Sequence, residues 1–391
     1  MKRAVLSVAI LSSLFAMVSN ASGQTKPRAR DLGVPFDGTP GPLDAITDVQ
    51  GVEVGHTTLI SGEGKLVVGK GPVRTGVTAI LPRGKSLSDP VFAGWFSQNG
   101  NGEMTGTTWV EESGFLEGPV MITNTHSVGV VRDAVIRWRV ERGGPDASGY
   151  WWSLPVVAET YDGYLNDVNG FHVKPEHALS ALNGARSGAV AEGSVGGGTG
   201  MVCYEFKGGI GTASRKLEEK SGGFTVGVLV QCNCGGRSQL TIAGVPVGRE
   251  IPKHPANGDK GSIIIVVATD APLLPHQLKR LARRATMGLA RTGSTSGNGS
   301  GDIFIAFSTA NPGASKPSGL AQIAMVPNDR MGPLFEATVQ ATEEAIVNSM
   351  VAAETMTGAD NHTVIGLPHD RLREVMKRYN RLTVSGQASP R

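Results

Sequence analysis

The chain offers many serines as nucleophiles but withholds the partners that usually activate one. A nucleophile elbow needs glycine two residues before and two after its serine; the nearest approach, Ser300, has Asn298 and Asp302 there. None of the eight histidines forms H-E-x-x-H, and His172 and His177, five apart, do not share a helical face, so no metal site is expected. The run Gly193–Gly200 lacks the Lys-Ser/Thr of a phosphate loop and reads as a glycine-lined bend beside a site. Asn298-Gly299-Ser300 reads as a tight turn rather than a glycosylation site.

A serine without a histidine can still act if it begins a chain. Its own α-amine then takes the hydroxyl proton, and an amine pKa of about 7.7–8.0 suits a base at neutral pH. Such a terminus must be made by cutting, and Gly261-Ser262 suits the cut. The polar loop 252–261 precedes it, Ser262 opens an unbroken apolar strand to Ala268 that would hold the new end still, and Gly261 is free to take backbone conformations that polarise the scissile amide. Ser262 Oγ would attack the Gly261 carbonyl, giving an ester that water resolves. Pattern alone leaves open Gly193-Ser194, Gly293-Ser294 and Gly299-Ser300, and a conventional pairing of Ser127 with the adjacent His126.

The elements that would position these residues follow from periodicity. Strands are expected over 49–58, 76–81, 120–125, 155–159, 226–231, 262–268 and 303–308, from their β-branched content and Gly/Pro borders. Helical spacing appears over 128–140, 276–291, 335–356 and 368–379; in the second, Leu278, Leu281, Ala282, Ala285 and Leu289 share one face and Lys279, Arg280, Arg283 and Arg284 the other. The long third helix is expected to be amphipathic. Residues 24–42 read as an extended arm. Interleaved strands and helices point to two stacked sheets flanked by helices.

Composition bounds the rest. The 391 residues carry a net charge of +3, or +1 without Lys2 and Arg3, which argues against a dedicated nucleic-acid or anionic-membrane binder. Lys2 and Arg3, the apolar run 4–18 and the small residues Ser19, Ala21 and Gly23 read as a signal peptide over 1–23, implying a periplasmic or secreted product with no membrane span after its removal. The remainder, 24–391, reads as one domain, since no linker divides it. Export permits disulfides, but Cys203, Cys232 and Cys234 are odd in number, so they read as packed thiols.

From Arg28 to about Tyr379 the chain resembles the self-processing L-aminopeptidase/D-esterase (D-alanyl amidase) and β-peptidyl aminopeptidase family. The words that carry this are GVPFDG at 33–38, ITDVQGVEVGH at 46–56, TNTHSVG at 123–129, PVVAETYDG at 155–163, GSIIIVVATDAPL at 261–273 and NGSGDI at 298–303. The resemblance implies a four-layer αββα sandwich with two mixed sheets, layered like N-terminal-nucleophile hydrolases but connected differently. It implies a cut between Gly261 and Ser262 into a 24–261 chain and a 262–391 chain, which family members assemble into oligomers. The nucleophile falls on Ser262, the second serine on Ser300, the acidic residue on Asp302 and the oxyanion asparagine on Asn233; Glu159 and Tyr161 match residues near the substrate.

On that basis Asn233 donates to the oxyanion, Ser300 relays protons, and Asp302 holds the substrate ammonium. No cofactor is implied. The expected substrates are short peptides, amino-acid amides or esters that lose an N-terminal β-amino acid, L-amino acid or D-alanine. The family's acidic position takes Glu or Asp, and the shorter Asp302 leaves the choice among these open. An uncleaved periplasmic ligand-binding protein of the same fold is the alternative.

Overall fold

The computed structural model describes residues 26–85, 89–143, 151–251, 261–316 and 318–382. The expected signal peptide and nearly all of the polar loop before Gly261 lie outside the described residues.

In chain order the first half supplies β1 (Glu53–Ser61), β2 (Val73–Lys85), β3 (Val91–Gly100), β4 (Phe115–Leu116), β5 (Val120–Asn124) and β6 (Val156–Thr160). The second supplies the ribbon β7 (Val202–Cys203) and β8 (Phe206–Lys207), then β9 (Gly209–Lys216), β10 (Thr225–Asn233), β11 (Ser262–Thr269) and β12 (Gly301–Ser308). The helices are α1 (Thr107–Ser113), α2 (Val128–Glu141), α3 (Pro175–Gly184), α4 (Val247–Glu250), α5 (Pro275–Arg291), α6 (Gly332–Val351) and α7 (His369–Arg378).

One sheet has the order β1-β2-β5-β6, with only β5 and β6 parallel. The other runs β4-β3-β12-β11-β10-β9, with only β11 and β12 parallel. Side-chain alternation builds the layers. Along β11, Ile264, Val266 and Ala268 meet Ile80, Ile122 and Val156 between the sheets, whereas Ile263, Ile265 and Val267 face Leu281 and Ala285 of α5 and Ala345 of α6. Behind the first sheet, Ala79, Met121 and Val157 pack on Val131, Val135 and Trp138 of α2 and Ala181 and Leu182 of α3. The order is helix, sheet, sheet, helix: the αββα sandwich expected from the sequence. Because β11 is buried on both faces, each of its Ile and Val side chains contributes about 1.5–3 kcal/mol of burial to holding Ser262 in place.

Three expectations need correction. The strand expected from Val49 starts at Glu53, because a short helical turn at Ile46–Asp48 and Gly51, with φ of 90°, redirect the chain first. The helix expected over 335–356 is α6, which begins earlier with Pro333 in its first turn, ends at Val351, and is buried on almost every side rather than amphipathic. The N-terminal arm and β9 together pair its buried polar groups: Arg30 of the arm reaches Glu344 at 2.7 Å, Arg215 of β9 reaches the same carboxylate at 2.7 Å, and Ala29 N donates to Asn348 Oδ1 at 3.0 Å. Finally, Cys203 and Cys232 are joined as a disulfide, with the buried Cys234 outside it, because the β7–β8 ribbon folds back onto the end of β10. Among the described residues no helix is long and apolar enough to cross a membrane.

Candidate active site

β10 and β11 are antiparallel with Asn233 directly opposite Ser262, which puts both side chains on one face at the end of the pair. Leu229 on β10 and Ile264 on β11 set that face toward the space between the sheets. Ser262 therefore stands at the end of the inter-sheet space, where β6 delivers Glu159 and the chain leaving it delivers Tyr161. A cavity of about 290 Å³ opens there, lined by Asn101, Gly102, Glu103, Thr125, Glu159, Tyr161, Ser262 and Gly299.

Ser262 Oγ accepts a hydrogen bond from Gly301 N at 3.1 Å, and Ser300 Oγ donates to Asp302 Oδ1 at 2.7 Å; the parallel pairing of β11 with β12 brings these segments side by side. Asn233 is fixed at both ends of its amide: Val202 N donates to Oδ1 at 2.7 Å and Nδ2 donates to the Tyr161 carbonyl at 2.9 Å, so among the described residues one amide hydrogen remains to be given. Glu159 accepts from Glu103 N at 3.0 Å and from the Thr125 hydroxyl. Burial pushes the Glu159 carboxyl above its ordinary value, and these two hydrogen bonds hold it partly down.

Gly261 is glycine for a local reason. Its φ is not in the left-handed region; instead a Cβ there would fall inside the Asn233 carbonyl oxygen. The glycine run before β9 is close-packed too: a Cβ on Gly197 would strike Gln231 Oε1 and one on Gly198 would strike Gly209, so the run is a tight bend.

Of the sequence-expected residues, Ser262, Glu159 and Tyr161 meet in the cavity. Asn233, Ser300 and Asp302 adjoin Ser262 without lining it. Asp302, fully buried behind Ser300, does not line the cavity, so among the described residues the carboxylates able to meet a substrate there are Glu159 and Glu103. His126 stacks on Phe171 with ring centroids 6.1 Å apart, and neither it nor the buried Ser127 lines the cavity.

Residues 44–364 match the model of peptidase family S58. The β-peptidyl aminopeptidase BapA of Sphingosinicella microcystinivorans is 57% identical, over 96% of this chain and 98% of its own. This chain belongs to peptidase family S58. Among solved structures, a β-aminopeptidase from Burkholderia sp. is 49% identical with a TM-score of 0.84, covering 90% of this chain and 99% of that one. The L-aminopeptidase D-Ala-esterase/amidase of Ochrobactrum anthropi, described as a prototype for the serine aminopeptidases and a variant of the Ntn hydrolase fold, is 51% identical with a TM-score of 0.84, covering 92% of this chain and 100% of that one.

Sequence reasoning missed Glu103, Asn101 and Gly102. Their signal was present in the Asn/Gly-rich stretch 99–102 that closes the aromatic strand β3, a polar end of the kind that carries site residues. Thr125 lay inside a word already singled out, 123–129, with no role attached.

Proposed function

We propose that this S58 member is an exported serine aminopeptidase that cuts itself between Gly261 and Ser262 and then uses the freed Ser262 to release the N-terminal residue of short peptides, amides and esters. The observation that carries this is the position of Ser262: first residue of a doubly buried strand, hydroxyl in a cavity, two carboxylates opposite and, among the described residues, no histidine lining it.

In the uncut chain the nitrogen of Ser262 is an amide and no base. Attack of Oγ on the Gly261 carbonyl breaks the peptide bond, frees the Ser262 amine and leaves Gly261 as an ester on Oγ; water then hydrolyses that ester, releasing the Gly261 carboxylate and the free hydroxyl. That amine then deprotonates Oγ as it adds to a substrate carbonyl, and returns the proton to the leaving amine through Ser300, whose hydroxyl Asp302 orients. Asn233 Nδ2 donates to the oxyanion. The substrate ammonium sits against Glu159 and Glu103, replacing the role read for Asp302 from sequence. A small cavity ending in carboxylates selects a free amino terminus, and the relatives named above make a β-amino acid the first residue to test, ahead of L-residues and D-alanine.

Two results are expected here. Gly261→Ala drives a methyl group into the Asn233 carbonyl, displaces the scissile peptide, and leaves most of the protein uncut after overnight incubation on a denaturing gel. Glu159→Gln raises KM for free-amine substrates about tenfold while hydrolysis of N-acylated analogues does not change, because only the former lose a charged partner. In the unsubstituted enzyme the same KM rises as pH falls, and starts to rise at a higher pH than for an exposed glutamate, since the Glu159 pKa is raised and its neutral form does not hold an ammonium. The sign for stability is opposite: a raised folded-state pKa means the native protein loses stability as Glu159 ionises with rising pH, so Glu159→Gln folds at least as well at neutral pH. Equal KM values for Glu159→Gln and the unsubstituted enzyme would remove the carboxylate from substrate binding.

A further inference from the structure

Lys207 is fully buried at the end of β8, where methionine would fill the space without the cost of burying a charge. Its ammonium donates to the carbonyls of Met201 and Gly208, each at 2.8 Å, with the Gly198 carbonyl at 3.5 Å. Met201 O also accepts Gly208 N at 3.0 Å, so the loop from the glycine bend to β9 closes around this nitrogen. Burial pulls the Lys207 pKa down to about 7; the charge of Lys26 lowers it further and that of Asp162 opposes the fall.

The Met201 carbonyl and the Val202 N–H belong to one peptide unit. The ammonium binds its oxygen, and its N–H is the donor that fixes Asn233 Oδ1 at 2.7 Å. A charge, a peptide and a side-chain amide thus stand in one hydrogen-bonded row ending at Asn233 Nδ2. Each member of such a row polarises the next: electron density drawn to Met201 O makes Val202 N–H a stronger donor, which makes the Asn233 N–H a stronger donor in turn.

We propose that Lys207 is a positioning residue whose charge, passed through the Met201–Val202 peptide, aims and strengthens the Asn233 amide at the developing oxyanion. This rests on Asn233 donating to that oxyanion. Because the oxyanion exists only in the transition state, the effect falls on kcat and not on KM.

The test is a double-variant cycle on the mature enzyme, with turnover counted per cleaved chain. Lys207→Met lowers kcat by roughly 10- to 100-fold, less than the 10²–10³ of losing an oxyanion donor outright, and leaves KM within about twofold. Combined with Asn233→Ala it adds no further loss, because Lys207 acts only through that amide. Lys207→Gln, which keeps a donor but not the charge, lies between Lys207→Met and the unsubstituted enzyme, and carries the test if Lys207→Met does not accumulate as folded protein. Losses that multiply in the double variant, or a change in KM with kcat intact, overturn the role of Lys207 while the oxyanion reading stands. An Asn233→Ala enzyme with undiminished kcat overturns both.

Discussion

Ser262→Ala yields a single uncut chain with no measurable aminopeptidase activity. Both losses come from one hydroxyl, since the same Oγ attacks the Gly261 carbonyl in maturation and the substrate carbonyl in turnover. The substitution is mild for the fold: it removes the acceptor of one hydrogen bond, from Gly301 N, at a cost of about 1–3 kcal/mol, while β11 stays anchored on both faces. Ser262→Ala protein therefore elutes as folded material in size-exclusion chromatography and runs as the full precursor on a denaturing gel. Ser262→Thr keeps a hydroxyl and retains part of both reactions. An active Ser262→Ala enzyme would move the nucleophile elsewhere and end the account.

The second large effect is at Asn233. Asn233→Ala lowers kcat by about 10²–10³, or about 2.7–4 kcal/mol of barrier, with little change in KM, because the donated hydrogen bond is made to charge that appears only in the transition state. The geometry supports this magnitude: the amide is held at 2.7 Å and 2.9 Å by two main-chain groups, so it does not reorganise as the charge develops. Steady-state rates on a free-amine amide substrate decide it. A fall in kcat below tenfold, or a rise in KM alone, would leave the oxyanion to another donor.

Where burial dominates, the sequence was legible. β11 reads as a strand because it is apolar without interruption, and α5 because its Leu and Ala positions keep helical spacing; both lie within a residue or so of expectation. β9 was not legible. Its segment GIGTASRK has low strand propensity, and Gly211 is there because a Cβ would strike the Ala345 carbonyl of α6, a tertiary demand with no local signature. β3 hides in the same way, its Gly94 lying against the backbone of α5 at Lys279.

The site divides along a similar line. Ser262 stood out because a polar loop meets a buried strand there, but choosing it over three other Gly-Ser pairs took resemblance, and the structure supplies the physical distinction: this pair alone stands opposite Asn233 at the cavity. Asp302 was read as the ammonium partner because sequence gives proximity to Ser300 and not direction. Its carboxylate turns to the Ser300 hydroxyl, and Glu103, some two hundred residues earlier in the chain, faces the cavity instead. The N-terminal arm was read as merely extended because the ion pair of Arg30 with Glu344 spans most of the chain and leaves no local pattern.

The most direct measurement is N-terminal sequencing of the chains separated by denaturing electrophoresis of the purified protein. Two chains are expected, the smaller comprising 262–391 and beginning Ser-Ile-Ile-Ile. A single intact chain that hydrolyses free-amine peptides would contradict it, and a single intact chain that only binds them would make the protein a ligand-binding relative of the same fold.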